Sequence, residues 1–115
     1  MHNNKETVER YMEGFRQKDH AMILSCLAQD VIWDMPGYFY HEGIAAFDQE
    51  IGNEAFTGKP IIVITRMIEE NDVVAVEGTV MFNMSTGELM NAVFCEVFEM
   101  EDGKVKKLTT YQVMK

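Results

Sequence analysis

The N-terminal hydrophobic pattern predicts two helices. Apolar residues recur at i, i+3, i+4 and i+7, the spacing of one buried helix face. These residues are Val8, Tyr11, Met12 and Phe15. Asn3 and Glu6 have the spacing of a capping box at the start of this helix. Asp19 can cap a second helix, whose inward-facing residues are predicted to be Ile23, Leu24, Cys26 and Leu27.

A short strand and a turn are predicted after the second helix. Val31, Ile32 and Trp33 combine β-branched and aromatic residues, which favours a strand. Pro36 and Gly37 end this strand. The aromatic segment 38–43 is interpreted as a flexible loop, and a third short helix is predicted over 44–51 from its apolar spacing.

The C-terminal half has the pattern of strands joined by tight turns. The predicted strands span 61–69, 73–82, 88–100 and 104–113, and FTGKP before them is interpreted as a loop. The connections END, MSTG and EDG contain residues that turns prefer, and such short connections favour an antiparallel meander. The predicted order is α-α-β-α-β-β-β-β, an α+β class, in one domain spanning residues 1–115.

Two of the predicted strands are apolar on both faces. IIVITRMI and much of NAVFCEVFEM lack the polar–apolar alternation of a strand with one solvated face. The helices can cover only one face of the sheet, and a large apolar patch is unusual on a monomer. We therefore expect a homodimer through the outer sheet face.

Composition limits the partners and the compartment. A net charge of -9 argues against nucleic acid and anionic membrane surfaces as partners, because both repel acidic proteins. No apolar run reaches the roughly 18 residues of a membrane span, and the polar start MHNNKETVERY lacks the apolar core of a signal peptide. Cys26 and Cys95 have no partner spacing, so a cytoplasmic protein with reduced thiols is expected. The ten methionines are interpreted as core fillers or as an adaptable wall around an apolar ligand.

Glu96 gives the strongest functional signal in the sequence. By the period of two in a strand it shares a face with Phe94, Phe98 and Met100. A carboxylate on an apolar face is costly unless it is paired, protonated or open to a cavity. The functional interpretation is a pocket carboxyl with a raised pKa. The alternatives are a strand that twists its edge into water and an ion pair across a dimer, for instance with Arg66.

Three further residues are candidates for chemistry. Asp34 alternates with Trp33 and Met35, so it points away from any cavity that those two line. Tyr11 lies on the inward face of the first helix, where residue type alone favours a core position. His41 has no companion at a metal-ligand spacing and is predicted at a pocket rim or in solvent. The sequence predicts no metal site, and it contains no phosphate loop, nucleophile elbow or CxxC pair.

Two segments resemble the SnoaL-like and ketosteroid-isomerase-like proteins of the nuclear-transport-factor-two-like superfamily. The first is ERYMEGFRQKDHAMILSCLAQDVIWDMPG, with an inward helix aromatic followed by a DV.W..PG strand. The second is FCEVFEMEDGKVKKLTTYQV, which resembles the final hairpin of that family. The resemblance implies a cone-shaped, curved antiparallel sheet wrapped around N-terminal helices, with a pocket inside and usually a dimer.

The resemblance also implies roles for individual residues. In ketosteroid isomerases an aspartate base works beside an oxyanion hole made of a tyrosine and a protonated aspartate. The tyrosine corresponds to Tyr11 and the protonated acid to Glu96. The base position, immediately before the proline of the first strand, is Met35, so the usual base is missing. Asp34, His41 or a water is then the expected proton carrier.

The resemblance implies a pocket protein for a small apolar or carbonyl ligand, working without a metal or an organic cofactor. Cofactor-free isomerase, cyclase or hydrolase chemistry is one expectation. A non-catalytic ligand-binding module and a dimerisation domain with a filled interior are the alternatives. The residues expected to contact a ligand are Trp33, Met35, Tyr38, Tyr40, Phe94 and Phe98.

Overall fold

The computed structural model describes residues 3–115, and Met1 and His2 lie outside the described residues. The helices are α1 (Asn4–Gln17), α2 (His20–Leu24) and α3 (Ile44–Ile51). The strands are β1 (Leu27–Met35), β2 (Phe39–Glu42), β3 (Phe56–Glu70), β4 (Val73–Met84), β5 (Leu89–Glu101) and β6 (Lys104–Met114). The predicted α+β class is confirmed.

All six strands belong to one curved sheet with the order β2-β1-β6-β5-β4-β3. The predicted meander is confirmed, because β3, β4, β5 and β6 are successive antiparallel neighbours. The last strand also pairs with β1 in parallel, which places Trp33 opposite Leu108. This pairing places β1, which contains Trp33, directly beside the C-terminal strand β6.

The predicted helix starts are confirmed in atomic detail. The Asn3 side chain accepts a hydrogen bond from the Glu6 backbone N–H at 3.1 Å, as a capping residue does. Lys18 follows α1 in the left-handed conformation, with a φ of 55°, and so ends the helix. The Asp19 carboxylate accepts from the Met22 backbone N–H at 3.0 Å and starts α2.

The second helix is shorter than predicted. It ends at Leu24, and the backbone from Leu27 onward is already part of β1. The reason is strand pairing: the Val105 backbone N–H donates to the Cys26 carbonyl at 2.8 Å, and Leu27 is in register with Val105. The predicted inward positions Ile23, Cys26 and Leu27 are nevertheless buried.

Two predicted loops are strands instead. The aromatic segment after Pro36 contains β2, which pairs antiparallel with β1 and places Trp33 opposite His41. The FTGKP segment is the start of β3, and its register with β4 shifts between Thr57 and Ile61. Gly58, with a φ of +69°, lies in this irregular stretch. In both segments, hydrogen bonds to a neighbouring strand satisfy the backbone N–H and C=O groups. The sequence pattern of each segment alone does not reveal this pairing.

The core lies between the helices and the inner face of the sheet. Along β5 the buried residues alternate strictly with more exposed ones. The buried set is Ala92, Phe94, Glu96, Phe98 and Met100. Large apolar side chains, among them Val63, Val93 and Val113, are exposed on the outer face of one chain. No helix among residues 3–115 has the length and apolar character needed to cross a membrane.

Candidate functional site

A cavity of about 660 Å³ lies between the inner face of the sheet and the helices. Every strand of the sheet contributes to its wall, together with α1 and α3. The sequence-predicted residues that line it are Tyr11, Trp33, Met35, Tyr38, Phe94 and Glu96. Apolar walls with a few convergent polar groups are typical of small-molecule sites.

Glu96 is held by a chain of hydrogen bonds that begins at an aromatic ring. The Trp33 indole N–H donates to the Thr110 hydroxyl oxygen at 3.0 Å, and that hydroxyl donates to Oε2 of Glu96 at 2.7 Å. An indole N–H can only donate, so the Thr110 oxygen accepts from Trp33 and keeps its own hydrogen for the Glu96 carboxylate. Trp33 and Glu96 are far apart in the sequence, and the Thr110 hydroxyl on β6 connects them.

Burial raises the pKa of Glu96 to about 7, although the hydrogen bond from Thr110 acts in the opposite direction. Removal from water disfavours the charged carboxylate, and a single neutral donor does not offset that cost. A substantial fraction of this carboxyl group is therefore protonated near neutral pH. The interpretation of Glu96 as a buried pocket carboxyl agrees with this geometry.

Within residues 3–115 of one chain, Glu96 neither faces water nor pairs with Arg66. Glu96 is only 8% exposed, so the strand does not carry it into water. Arg66 forms its salt bridge with Glu77 on the neighbouring strand instead. Within residues 3–115 no cation is paired with Glu96.

Tyr11 brings a second polar group to the same cavity. Its side chain is buried, and its hydroxyl group is the only fully buried side-chain N or O atom in residues 3–115 without a hydrogen-bond partner. The ring is held between aromatic neighbours, with centroid distances of 5.0 Å to Phe15 and 5.2 Å to Phe98. Burial, and then the nearby carboxyl of Glu96, hold the pKa of Tyr11 well above its usual value. The hydroxyl therefore stays protonated and can donate.

The remaining wall is largely aromatic or sulfur-containing. Trp33 stacks on Phe47 with a centroid distance of 4.3 Å and meets Phe39 edge-on at 5.1 Å. Five of the ten methionines line the cavity. They are Met12, Met35, Met84, Met90 and Met114. Methionine side chains adapt their shape readily, so this wall can adjust to a ligand.

Four predicted site residues do not line the cavity. Asp34 points away from it, as its alternation with Trp33 indicated. Tyr40 is 54% exposed on the corresponding face of β2. Phe98 is fully buried and packs against Tyr11 behind the cavity wall. These positions argue against contact with a ligand and against a catalytic role for Asp34.

His41 is the fourth predicted site residue that does not line the cavity, and it lies behind a residue that does. Its ring stacks on Phe39 at 4.5 Å, and its Nε2 lies 2.8 Å from Oε1 of Glu50. Glu50, at the end of α3, does line the cavity. Its other carboxylate oxygen accepts from the Asn53 side-chain amide at 3.0 Å. His41 therefore reaches the cavity through Glu50.

Sequence reasoning missed several residues that line the cavity. The polar ones are Lys18, Glu50, Asn53, Thr57, Thr110 and Gln112. The period of two along β6 places Thr110 and Gln112 on one face, and this signal could have found them. For Glu50 and Asn53 no comparable signal exists, because only the packing of α3 brings them to the wall. No cluster of three or more metal-ligating side chains occurs in residues 3–115.

The chain belongs to the SnoaL-like domain family, whose model matches residues 8–108. The family resemblance inferred from the two sequence segments is thereby confirmed. A search of curated proteins finds no match to this chain.

Solved structures share the fold over nearly the whole chain. An LEH-like epoxide hydrolase from M. tuberculosis has a TM-score of 0.85 at 17% identity, covering 96% of this chain and 82% of that one. TerC, co-crystallised with polyporic acid, has a TM-score of 0.82 at 25% identity, with coverages of 97% and 91%. A protein from Xanthomonas campestris pv. campestris, proposed to be a polyketide cyclase, has a TM-score of 0.80 at 24% identity, with coverages of 94% and 88%. These likenesses establish the fold and leave the activity to be argued from the site.

Proposed function

We propose that the chain binds a small, partly apolar carbonyl compound in the cavity and catalyses proton transfer on it. The observation that carries the proposal is that Tyr11 and Glu96 line the same cavity. Both residues line one apolar cavity, and the Tyr11 hydroxyl has no protein partner. An unpartnered buried hydroxyl costs about 1–3 kcal/mol, a cost that a ligand oxygen would remove.

The two groups suit a carbonyl oxygen that gains negative charge. Removal of a proton next to a carbonyl moves electron density onto its oxygen, and fixed donors in a dry site stabilise that charge. Tyr11 supplies a phenolic O–H. The Thr110 hydrogen bond occupies Oε2 of Glu96, so a protonated Glu96 can donate from its other oxygen. Side chains alone supply this chemistry.

The cavity wall sets the class of ligand. Rings and methionines favour a flat or aromatic body, and the acidic donors favour one carbonyl or hydroxyl group on it. The ligand of TerC and the reactions named for the similar structures support this class. Isomerisation, cyclisation and hydrolysis all fit a site that moves protons beside a stabilised oxyanion.

We also propose that two copies of the chain associate through the outer sheet face. A row of residues in register crosses β3, β4, β5 and β6 there. The row is Val63, Thr79, Val93 and Val113, and its three valines are between 39% and 65% exposed. Ile61 and Tyr111 extend this apolar surface, and a shallow depression of about 380 Å³ lies on it. Removal of apolar surface from water is the dominant favourable contribution to most protein–protein association.

For the whole chain we propose a single SnoaL-like domain over residues 1–115 and a cytoplasmic location. The location is supported by Cys26 and Cys95, which are both free thiols. Structural disulfides are typical of oxidising compartments, whereas free thiols persist in reducing ones.

The experiment uses β-tetralone, a small aromatic ketone with exchangeable protons next to its carbonyl. Binding is measured as a rise in the melting temperature, and proton transfer as the exchange of the ketone's α-protons in deuterium oxide, followed by NMR. We expect both, and we expect Tyr11→Phe and Glu96→Gln to slow the exchange by about 10-fold or more. Tyr40→Phe is the matched control, because Tyr40 lies outside the cavity. Binding without accelerated exchange would instead indicate a non-catalytic binding module.

A further inference from the structure

Glu50 is a second carboxyl group in the wall of the cavity, and its environment differs from that of Glu96. Glu96 sits in the middle of β5, accepts one hydrogen bond and is deeply buried. Glu50 sits at the end of α3, and its side chain is 17% exposed. The cavity thus has two carboxyl groups in different surroundings, one in the middle of a strand and one at the end of a helix.

Both oxygens of Glu50 are fixed by neighbouring side chains. Oε1 lies 2.8 Å from Nε2 of His41, and Oε2 accepts from the Asn53 amide at 3.0 Å. A carboxylate has about four acceptor sites, so two remain after these contacts. These two contacts fix the orientation of the Glu50 carboxyl group.

The two supports of Glu50 are themselves held in place. The His41 ring stacks on Phe39 with an interplanar angle of 17°, and β2 fixes both rings against β1. The Asn53 side-chain oxygen accepts from the Ala55 backbone N–H at 2.9 Å. A carboxylate held in this way keeps one geometry, which a general base requires.

We propose that Glu50 is the general base of the site, and that His41 and Asn53 are positioning residues that hold its carboxylate. This inference rests on the proposed function. It names a proton acceptor for a site in which Met35 occupies the position of the usual base. Glu50 takes the proton from the carbon next to the carbonyl. The C–H electron pair forms the C=C bond of the enolate, and the carbonyl π pair moves to the oxygen, which accepts hydrogen bonds from Tyr11 and Glu96.

The reverse step returns a proton from Glu50 to carbon, so no oxidant, reductant or co-reactant is consumed. In deuterium oxide the proton on Glu50 is replaced from solvent before it returns. The partly exposed side chains of Glu50 and His41, at 17% and 29%, provide contact with solvent for this replacement. Exchange of the α-protons of β-tetralone therefore reports the action of the base.

The test compares Glu50→Gln with Glu54→Gln in the full chain. Glutamine keeps the size of Glu50 but cannot accept the proton, whereas Glu54 is exposed and outside the cavity. We expect Glu50→Gln to lower the exchange rate at saturating β-tetralone by about 100-fold, within the usual range for a general base. The shift in melting temperature caused by β-tetralone should remain, and Glu54→Gln should change neither quantity.

Two His41 variants test whether His41 positions the Glu50 carboxylate. This test remains valid even if the Glu50 variant does not fold. His41→Phe keeps a ring against Phe39 but removes the donor, and we expect about a 10-fold lower kcat for exchange with an unchanged KM. His41→Gln retains an N–H donor and should retain more of the rate.

The outcomes separate the two proposals. If β-tetralone binds and exchanges at the wild-type rate in Glu50→Gln, the general base is overturned and the proposed function stands. If Glu50→Gln loses ketone binding together with exchange, Glu50 belongs to binding and the inference also fails. If the wild-type chain neither binds the ketone nor accelerates its exchange, both proposals fail.

Discussion

The Thr110 hydroxyl on β6 lies 2.7 Å from Oε2 of Glu96, its register partner on β5. Two opposing effects meet at this carboxyl group. The hydrogen bond favours the carboxylate, while burial favours the neutral acid, and burial is the larger effect. The same contact occupies one oxygen of Glu96, so the register of two strands helps to fix the orientation of a candidate acid.

The raised pKa of Glu96 predicts how stability depends on pH. The carboxyl group ionises near 4.5 in the unfolded chain and near about 7 in the folded one. Its contribution to stability is thus fully present below pH 4.5 and is lost as the pH rises through about 7. The loss amounts to about 3 kcal/mol, because each unit of pKa difference corresponds to about 1.4 kcal/mol.

Glu96→Gln should remove this pH dependence while keeping the contact with Thr110. We expect the variant to gain stability relative to wild type between pH 4.5 and 7, measured by urea unfolding. Glu99→Gln, an exposed neighbour on the same strand, is the control and should follow the wild-type curve. A Glu96→Gln curve parallel to wild type across this window would contradict the prediction.

Tyr11→Phe should stabilise the ligand-free protein and weaken the ligand complex. The variant removes the unpartnered buried hydroxyl and leaves the aromatic packing, so the free energy of unfolding should rise by about 1 kcal/mol. Without that donor, the melting-temperature shift caused by β-tetralone should shrink. Tyr40→Phe, at an exposed tyrosine, should alter neither value. A less stable Tyr11→Phe protein would show that the hydroxyl has a structural partner.

Gly78→Ala should be destabilising because the Phe94 ring covers this glycine. A Cβ built at residue 78 would stand 2.3 Å from the Val63 carbonyl oxygen and 2.8 Å from Cζ of Phe94. We expect a loss of about 1–3 kcal/mol in chemical denaturation, as overpacking usually costs. Gly52→Ala is the control, since its nearest contact would be an ordinary 3.5 Å and its stability should change little. Equal effects of the two substitutions would argue against this close packing.

Val93→Lys should convert the proposed dimer into a monomer. Val93 lies in the centre of the exposed apolar row, and a lysine there places two like charges near each other in a symmetric interface. Sedimentation at micromolar concentration should give twice 13.2 kDa for wild type and 13.2 kDa for the variant. Ala45→Lys, on the exposed face of α3, should remain dimeric. A wild-type mass of 13.2 kDa would rule out the dimer.

Much of the fold follows from the sequence because its signals are local. The apolar spacing around Tyr11, the caps at Asn3 and Asp19 and the turns between the long strands each depend on a few neighbouring residues. The period of two along β5 likewise predicted Glu96 on the inner face. The same period along β1 placed Asp34 on the opposite face from Trp33. These predictions hold because helix and strand geometry fix which side chains share a face.

The tertiary structure decided what depends on distant segments. Strand β2 and the start of β3 exist because neighbouring strands satisfy their backbone groups, which no local pattern records. Parallel pairing of β1 with β6 brings Trp33 to Thr110 and thereby fixes Glu96. Docking of α3 places Glu50 and His41 together, although nothing in their spacing indicates a shared site. Side chains far apart in sequence meet only when the sheet curves around the helices, so this site is a property of the packed chain.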